Sequence, residues 1–422
     1  MRSFNNSLIT NLFYSFLSVV VIITSLSWFD PAPALKNGIW RTSIQRQDGQ
    51  AIIFNFETKD SAGQKILYVL NGSEKLLVDN IKIKGDSVFI EMPFFESGFA
   101  AKLDKDGNMQ GSWLRKDADQ ILAMPFSAIY NHQERFPVTA PPLHKINGRW
   151  TVVFTGKNNH VIDAVGEFQQ KGSKLTGTFL TASGDYRFLE GVVTGDSLKL
   201  SGFDGGHAYL FTARVDDDNR ISGGNFYSGA ARVDKWTAKR NPNAALPDGY
   251  EATTLRPGEN KFNFRFRSTD DKTISITDTA YKGKVVIVQI MGSWCPNCMD
   301  ETKFLSDYYK ANSQKGVEVI GLAYERTTDL ERSKKSITSF QNRFNVSYPI
   351  LITGVTATDS LLTEKTLPQL NKIKSFPTSI FIDKKGVVRK IYTGFTGPGT
   401  GAYYDAFRKE FDETVKGLLT EK

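Results

Sequence analysis

Short runs of alternating apolar and polar residues fill the first half of the chain. Residues 52–56 and 175–180 are typical, and Gly-Asp, Asp-Gly or Asn-Gly pairs interrupt such runs at short intervals. Alternation with a period of two predicts strands with one buried face, and the interrupting pairs predict turns. This part of the chain shows no convincing helical period, so it is predicted to be all-β.

The β-rich pattern occurs twice. The sequence N-G-I-W, which ends at Trp40, returns as N-G-R-W, which ends at Trp150, and G-D-S-V at 85–88 returns as G-D-S-L at 195–198. Both pairs lie 110 residues apart. Repetition at a fixed offset indicates a duplicated structural unit.

Each copy, residues 38–136 and residues 146–240, is predicted to contain about eight antiparallel strands. Eight such strands can close into a small barrel without free edges, so we expect two tandem lipocalin-like barrels or sandwiches. Such a unit could be a ligand cup or a docking surface, but its aromatic side chains could equally fill the interior. The second interpretation is favoured, because no polar constellation marks a ligand. The aromatic residues in question are Trp40, Phe54, Phe56, Trp150 and Phe179.

The pattern changes after a linker, which two prolines and a lack of periodicity predict at residues 241–254. In residues 255–422, apolar runs of strand length alternate with segments of helical period, which predicts an α/β domain. The apolar run at 284–291 predicts a central strand buried on both faces. The last segment, residues 402–419, has apolar positions at helical spacing.

The N-terminal segment, residues 1–34, predicts export. Arg2 precedes an apolar stretch centred on residues 16–23, and small residues follow at 32–34. This pattern indicates a cleaved secretory signal, with an uncleaved single anchor as the alternative. The predicted location is the periplasm or cell envelope, at the inner membrane if the segment is uncleaved, with membrane contact through this segment alone.

Charge and cysteine content exclude several kinds of partner and cofactor. The 53 Lys and Arg are interspersed with 45 Asp and Glu, so the net charge of +8 indicates a solvated surface and no nucleic-acid partner. The two cysteines are Cys295 and Cys298, and all four histidines precede them by far, which argues against a zinc site. Met299 stands where a covalent haem site needs His. We therefore expect no metal and no cofactor other than a redox-active disulfide between the two cysteines.

The motif W-C-P-N-C at 294–298 lies between the central strand and a predicted helix. Unpaired N–H groups at a helix N-terminus favour a thiolate at Cys295. Pro296 suits the first helical turn, where its missing N–H is not needed. Cys295 is therefore predicted to be the nucleophile that attacks a substrate disulfide, and Cys298 the thiol that resolves the mixed disulfide.

This region resembles the thioredoxin superfamily, and in particular the TlpA/ResA-type extracytoplasmic thiol–disulfide oxidoreductases. The similarity rests on W-C-P-N-C at 294–298, on Glu301 and Leu305 in the helix after it, and on S-F-P-T-S-I-F-I-D at 375–383. It implies a thioredoxin fold over roughly residues 255–420 and a thiol–disulfide exchange activity.

The resemblance also implies a substrate-binding surface. Pro377 is expected to form a cis peptide bond beside Cys295, which leaves the backbone of Phe376 to pair with a substrate strand. The other residues expected on this surface are Trp294, Pro296, Asn297 and Thr378. The substrate is expected to be a protein disulfide or dithiol. A membrane redox partner is expected to supply electrons to a reductase of this kind, for example in cytochrome c maturation.

Gln289 departs from the family pattern, because thioredoxins have a buried carboxylate at this place. Glutamine cannot accept a proton, so another group or water must do so. Glu325 is the candidate base, and the alternative is that it is an ordinary surface carboxylate. Two other functions stay open. A peroxiredoxin-like peroxidase is disfavoured, because Gly292 stands where that chemistry needs Thr or Ser. A binding or adaptor protein with an accessory redox domain would keep its phenotype when Cys295 is replaced.

Overall fold

The structure is a computed structural model that describes residues 34–117, 120–246 and 252–421. The predicted signal or anchor lies outside these residues except for its last position. Within the described parts, no helix combines the length and the apolar character needed to cross a bilayer.

The first β region is an antiparallel, barrel-like sheet of nine strands. Its strands are β1 (Gly38–Gln45), β2 (Ala51–Ser61), β3 (Gln64–Asn71), β4 (Glu74–Val78), β5 (Asn80–Lys84), β6 (Ser87–Glu91), β7 (Ser97–Leu103), β8 (Met109–Asp117) and β9 (Gln120–Tyr130). The hydrogen-bonded order is β4-β3-β2-β1-β9-β8-β7-β6-β5, so β1 joins the two halves by pairing with β9. The two ends of this order are β4 and β5. We call this unit barrel 1.

The second β region, barrel 2, is a closed ring. Its strands are β10 (Gly148–Thr155), β11 (Val161–Lys171), β12 (Lys174–Thr181), β13 (Gly184–Asp185), β14 (Leu189–Thr194), β15 (Ser197–Phe203), β16 (Ala208–Asp217), β17 (Arg220–Ser228) and β18 (Arg232–Arg240). Eight of them pair in a circle, because β10 pairs with both β11 and β18 and β12 pairs with both β11 and β14. The short β13 pairs with β12 alongside this ring.

The repeated tryptophans occupy equivalent places in the two barrels. Trp40 and Trp150 each lie in the first strand of their barrel and are fully buried. Each indole N–H is satisfied, by Thr58 Oγ1 at 2.9 Å in barrel 1 and by the carbonyl of Ile146 at 3.0 Å in barrel 2. The five aromatic side chains expected to fill the barrels are all at most 1% exposed.

A residue of barrel 2 completes the core of barrel 1. Phe203, at the end of β15, stacks on Phe54 with ring centroids 4.2 Å apart, and it also contacts Phe99 and Trp113. Asn71 Nδ2 donates to the carbonyl oxygen of Phe203 at 2.8 Å. The two barrels are therefore packed against each other through a shared apolar core.

The C-terminal domain has a seven-stranded mixed sheet with helices packed on it. The strands are β19 (Arg265–Ser268), β20 (Thr273–Ser275), β21 (Val285–Met291), β22 (Val317–Ala323), β23 (Ile350–Ile352), β24 (Thr378–Ile382) and β25 (Val388–Thr393). The helices are α1 (Pro296–Asn312), α2 (Leu330–Phe344), α3 (Leu362–Thr366) and α4 (Ala402–Thr420). The strand order is β20-β19-β23-β22-β21-β24-β25, with β21, β22 and β23 parallel.

The predicted fold class is confirmed, with two barrel-like all-β units followed by an α/β thioredoxin-like domain. Every residue of β21 is buried, as expected of a central strand covered on both faces. This strand leads directly to the cysteine pair.

Candidate active site

Strand β21 delivers the cysteine pair to the start of α1. Cys295 is the N-cap residue of α1, and its Sγ accepts a hydrogen bond from the backbone N–H of Cys298 at 3.2 Å. Pro296 occupies the first helical turn, as a residue without an N–H can. The sulfur of Cys295 therefore lies at the positive end of the helix dipole, with Cys298 one turn further along.

Both thiols are well shielded from solvent. Cys295 is 4% exposed and Cys298 is fully buried, and no disulfide joins them in the structure. Burial raises the pKa of the Cys298 thiol well above its usual value, and its contact with Cys295 and the charge of Glu301 add to the effect. Cys298 therefore needs a nearby proton acceptor before it can act as a nucleophile.

Glu301 is the carboxylate placed for this role. It is fully buried in α1, three residues after Cys298. Its two oxygens accept hydrogen bonds from Gln289 Nε2 at 2.8 Å and from Ser379 Oγ at 3.0 Å. Burial raises the pKa of Glu301 to about 7, so its carboxylate can exchange a proton near neutral pH.

Gln289 acts by positioning this carboxylate. Thr302 Oγ1 donates to Gln289 Oε1 at 3.0 Å, which directs the amide NH₂ of Gln289 toward Glu301. The sequence interpretation looked for a base elsewhere, because Glu301 served there only as a family marker. A signal was available, since residues three apart on a helix are neighbours and place Glu301 beside Cys298.

Glu325, the candidate base from the sequence, lies two residues beyond β22 and is buried. Its Oε1 accepts the backbone N–H of Ser293 at 2.9 Å, and its Oε2 accepts the Ser293 hydroxyl at 2.6 Å. Burial raises the pKa of Glu325 as well. These contacts give Glu325 a part in holding the turn that precedes Cys295.

The predicted proline segment lies beside Cys295. The Phe376–Pro377 peptide bond is cis, and the Cys295 thiol donates to the carbonyl oxygen of Phe376 at 3.5 Å. Thr378 is fully buried, and its hydroxyl donates to the carbonyl of Ser375 at 2.9 Å. The carbonyl of Phe376 thus faces the Cys295 thiol, whereas the buried side chain of Thr378 holds the backbone of Ser375.

Trp294 packs across the turn before the cysteines. Its indole N–H donates to the carbonyl of Tyr324 at 2.8 Å, and its ring meets that of Phe376 edge-on at 5.4 Å. A Cβ atom at Gly292 would overlap the Trp294 indole. A Thr or Ser at position 292 is therefore incompatible with this tryptophan, which argues against a peroxiredoxin-type site.

A cavity of about 520 Å³ lies beside the active-site turn. On the thioredoxin-like side its walls include Ser293, Trp294 and Glu325, and on the other side they include all of residues 89–100 of barrel 1. This volume falls within the range of sites that hold small molecules or short segments of chain. In the described parts of the chain, His, Cys, Asp and Glu side chains form no group of three that could hold a metal ion.

Comparison with known proteins agrees with this geometry. Residues 256–406 match the family model described as Redoxin. The chain is 25% identical over 141 residues to the thiol-disulfide oxidoreductase ResA of Bacillus subtilis (strain 168), which covers 33% of this chain and 69% of that protein. It is 28% identical over 144 residues to ResA of Geobacillus thermodenitrificans (strain NG80-2), covering 34% and 73%.

A solved structure is also similar. It is a thiol:disulfide interchange protein of the thioredoxin family from Chlorobium tepidum TLS, with 22% identity and a TM-score of 0.28. The alignment covers 39% of this chain and 99% of that one. The matched family model and the ResA relatives agree with the cysteine geometry, and residues 256–406 are therefore a redoxin domain that is similar to thiol–disulfide oxidoreductases of the ResA type.

Proposed function

We propose that this protein is an extracytoplasmic protein-disulfide reductase in which Cys295 and Cys298 deliver two electrons to a substrate disulfide. One observation carries the proposal. The sulfur of Cys295 lies at the N-terminus of α1 and 3.5 Å from the carbonyl of Phe376, while Cys298 is buried behind it with a carboxylate three residues away. This arrangement provides a nucleophile, a backbone edge for a substrate and a second thiol with its own proton acceptor.

In the first step, the Cys295 thiolate attacks one sulfur of the substrate disulfide. The substrate S–S bond breaks while a bond forms between Cys295 Sγ and the attacked sulfur. The other substrate sulfur leaves as a thiolate and takes a proton from solvent. The carbonyl of Phe376, released from the Cys295 thiol, can then accept a backbone N–H from the bound substrate strand.

In the second step, the carboxylate of Glu301 takes the proton of the Cys298 thiol. The Cys298 thiolate attacks Cys295 Sγ, the mixed disulfide breaks, and the second substrate sulfur leaves as a thiolate that is then protonated. The substrate has gained two electrons, and the enzyme is left with a Cys295–Cys298 disulfide. A dithiol on a membrane redox partner would reduce this disulfide again by the same exchange.

The proposal also states that the protein is exported and that electrons flow from its cysteine pair to the substrate. The apolar segment before residue 34 supports export, since it has the pattern of a signal or anchor. The names of the ResA relatives state thiol–disulfide exchange without a direction. We propose the reducing direction because the TlpA/ResA-type proteins that this domain resembles are expected to be reductases supplied with electrons by a membrane partner.

The reduction potential of the Cys295–Cys298 pair tests the direction. We would equilibrate the purified protein in glutathione and dithiothreitol buffers and measure the reduction of glutathione disulfide and of insulin alongside, with Cys295→Ser as the control. A potential near or below about −270 mV, with turnover of glutathione disulfide lost in Cys295→Ser, supports a reductase. A potential nearer about −120 mV would make the protein an oxidant. Rapid peroxide consumption without disulfide exchange would overturn the whole proposal.

A further inference from the structure

A segment of barrel 2 lies on the rim of the active site. We call residues 182–187, which connect β12 to β14, the rim segment. Ser375 Oγ donates to the carbonyl of Ser183 at 3.1 Å, and the backbone N–H of Gly397 donates to Asp185 Oδ2 at 2.6 Å. A Cβ atom at Gly184, whose φ is +132°, would overlap the side-chain amide of Asn297. The rim segment thus contacts both the C-x-x-C motif and the loop around the cis-proline.

Glycines on the redoxin domain allow this close approach. A Cβ atom at Gly394 would lie 2.6 Å from the carbonyl oxygen of Ala182, and one at Gly399 would lie 2.6 Å from that of Arg187. Backbone therefore packs on backbone at these two places, which only residues without a side chain permit. At these two places the rim segment and the redoxin domain are in direct contact.

Ion pairs hold the rim segment in this position. Arg187 Nε lies 3.0 Å from Asp300 Oδ2 in α1, and its Nη2 pairs with Glu74 of barrel 1. The side chains of all three are nearly buried. Because a buried charge tolerates separation from its partner poorly, this network ties the rim segment to both neighbours.

The rim segment covers residues that flank the cysteine pair. It contacts Asn297 between the two cysteines, Ser375 next to Phe376, and the loop that contains Gly394 and Gly397. That loop is joined to the cis-proline, since the backbone N–H of Gly394 donates to the carbonyl of Pro377 at 2.9 Å. Cys295 itself is only 4% exposed.

We propose that the rim segment is the specificity-determining wall of this active site. It excludes disulfides set in folded protein surfaces and admits disulfides carried on narrow, extended peptide segments. This inference rests on the proposed function and names its substrate class. The exchange chemistry is unchanged, because the wall decides only which substrate sulfur comes within reach of Cys295.

Displacing the wall tests the inference. Gly399→Ala places a methyl group against the backbone of Arg187 and should push the rim segment away, whereas Gly417→Ala in α4 meets nothing within 4 Å and is the matched control. Glutathione disulfide serves as the narrow substrate and insulin as the folded one. In Gly399→Ala, kcat/KM for insulin should rise about 10-fold while that for glutathione disulfide changes by less than about 3-fold. An unchanged ratio of the two values, whether or not both rates shift together, overturns the inference.

Labelling of Cys295 provides a readout without turnover. The reduced protein is alkylated with iodoacetamide and with a maleimide carrying a long polyethylene glycol chain. If the rim segment is a wall, Gly399→Ala should increase the rate of Cys295 alkylation by the bulky maleimide much more than the rate of alkylation by iodoacetamide. An equal increase in the two rates contradicts the inference. Asp185→Ala, which removes the acceptor for Gly397, replaces Gly399→Ala if that variant does not fold.

The two proposals fail in different ways. A wild-type protein that exchanges neither glutathione disulfide nor insulin contradicts the proposed function. A wild-type protein that exchanges disulfides, and whose wall variants keep its substrate ratio and its labelling pattern, contradicts only the wall.

Discussion

The two barrels are both antiparallel and both pair their first strand with their last, but they differ in how their cores are completed. The buried apolar cluster of barrel 2 consists of its own residues, from Ile146 to Ala238, within a closed ring of eight strands. The cluster of barrel 1 also includes Phe203 of barrel 2 and continues through Phe94 into the redoxin domain. Duplication has thus produced one self-contained unit and one unit that is completed by its neighbours.

The loops of the barrels differ more than their strands. In barrel 1, Phe94 stacks on Phe344 of α2 at 5.3 Å, with Phe340 edge-on at 5.9 Å. In barrel 2, the rim segment reaches the border of the catalytic cysteines. One copy therefore packs an aromatic side chain against α2 of the redoxin domain, whereas the other places a loop beside the cysteine pair, as expected of loops held by a rigid scaffold.

The largest expected effect comes from the shared core. Phe203→Ala should lower the free energy of unfolding by about 3–5 kcal/mol, because it leaves a cavity among aromatic rings of barrel 1. Hydrogen exchange should show lost protection in β1–β9, although the change is in barrel 2. Phe179→Ala, within the core of barrel 2, is the control and should act on β10–β18. Loss confined to β10–β18 in Phe203→Ala would refute a shared core.

Two sets of ion pairs join the barrels to the redoxin domain, one at Arg187 and one at Arg332, and they should differ in their contribution to stability. Arg187→Met strands the buried carboxylates of Glu74 and Asp300 and should cost about 3 kcal/mol in denaturant unfolding. Arg332→Met removes the pair with the more exposed Glu96 of barrel 1 and should cost at most about 1 kcal/mol. Equal costs would contradict the view that barrel 2 is tied more tightly.

A third test concerns Glu301, which lies in the redoxin domain and should make the stability of the protein depend on pH. The pKa of Glu301 is about 7 in the folded protein and about 4.3 when unfolded, so the folded state binds the extra proton between these values. Stability supplied by neutral Glu301 is present at low pH and is lost as the pH rises from about 4.5 to about 7. Glu301→Gln lacks this loss, so its stability relative to wild type should increase by on the order of 2 kcal/mol between pH 5 and pH 8.

The buried carboxylates Asp300 and Asp185, whose pKa values burial raises to about 7 and about 6, titrate in both proteins and cancel in this difference. The same variant should slow attack by Cys298 on the mixed disulfide, measured by stopped-flow mixing, and leave attack by Cys295 on the substrate little changed. Resolution at the wild-type rate would remove Glu301 from the mechanism.

The smallest effect compares the two repeated tryptophans. Trp40→Phe and Trp150→Phe each remove the hydrogen bond that the indole N–H donates, and each removes a small side-chain volume from a filled barrel. Each should cost about 1–2 kcal/mol, and the two costs should agree within about 0.5 kcal/mol. Urea unfolding measures both, with the rate of glutathione disulfide exchange as the control that should not move. A large inequality would mean that the two positions are not equivalent.

Periodicity was sufficient to predict most of the fold. Strands with one buried face alternate in sequence, so β1 and β10 were recognised through Trp40 and Trp150. About eight strands were expected in each copy and nine are present. The two-residue β13 is too short to produce a pattern, and the run from 74 to 84 divides into β4 and β5. Which residues complete a core across two units, such as Phe203, depends on tertiary contacts that have no local signature.

The sequence also predicted only part of the active site, namely the residues that lie in short motifs. Cys295, Cys298 and the segment around Pro377 carry recognisable motifs, whose positions follow from the order of strand and helix. Glu301 as proton acceptor was missed although its helical spacing from Cys298 is visible in the sequence. Its hydrogen bond from Gln289, which is 12 residues earlier and on a different element, is not visible there. The rim segment could not be foreseen, since its contacts join residues about 200 positions apart.

The most direct test of the account is to trap the mixed disulfide. Reduced Cys298→Ser protein is incubated with glutathione disulfide, and the adduct is located by intact mass and peptide mapping. The account predicts one glutathione per chain, bound to Cys295, and none in Cys295→Ser, because the attacking thiol has been removed. An adduct on Cys298 in Cys295→Ser that forms as fast, or no adduct in either variant, would contradict the claim that Cys295 is the nucleophile of a thiol–disulfide exchange enzyme.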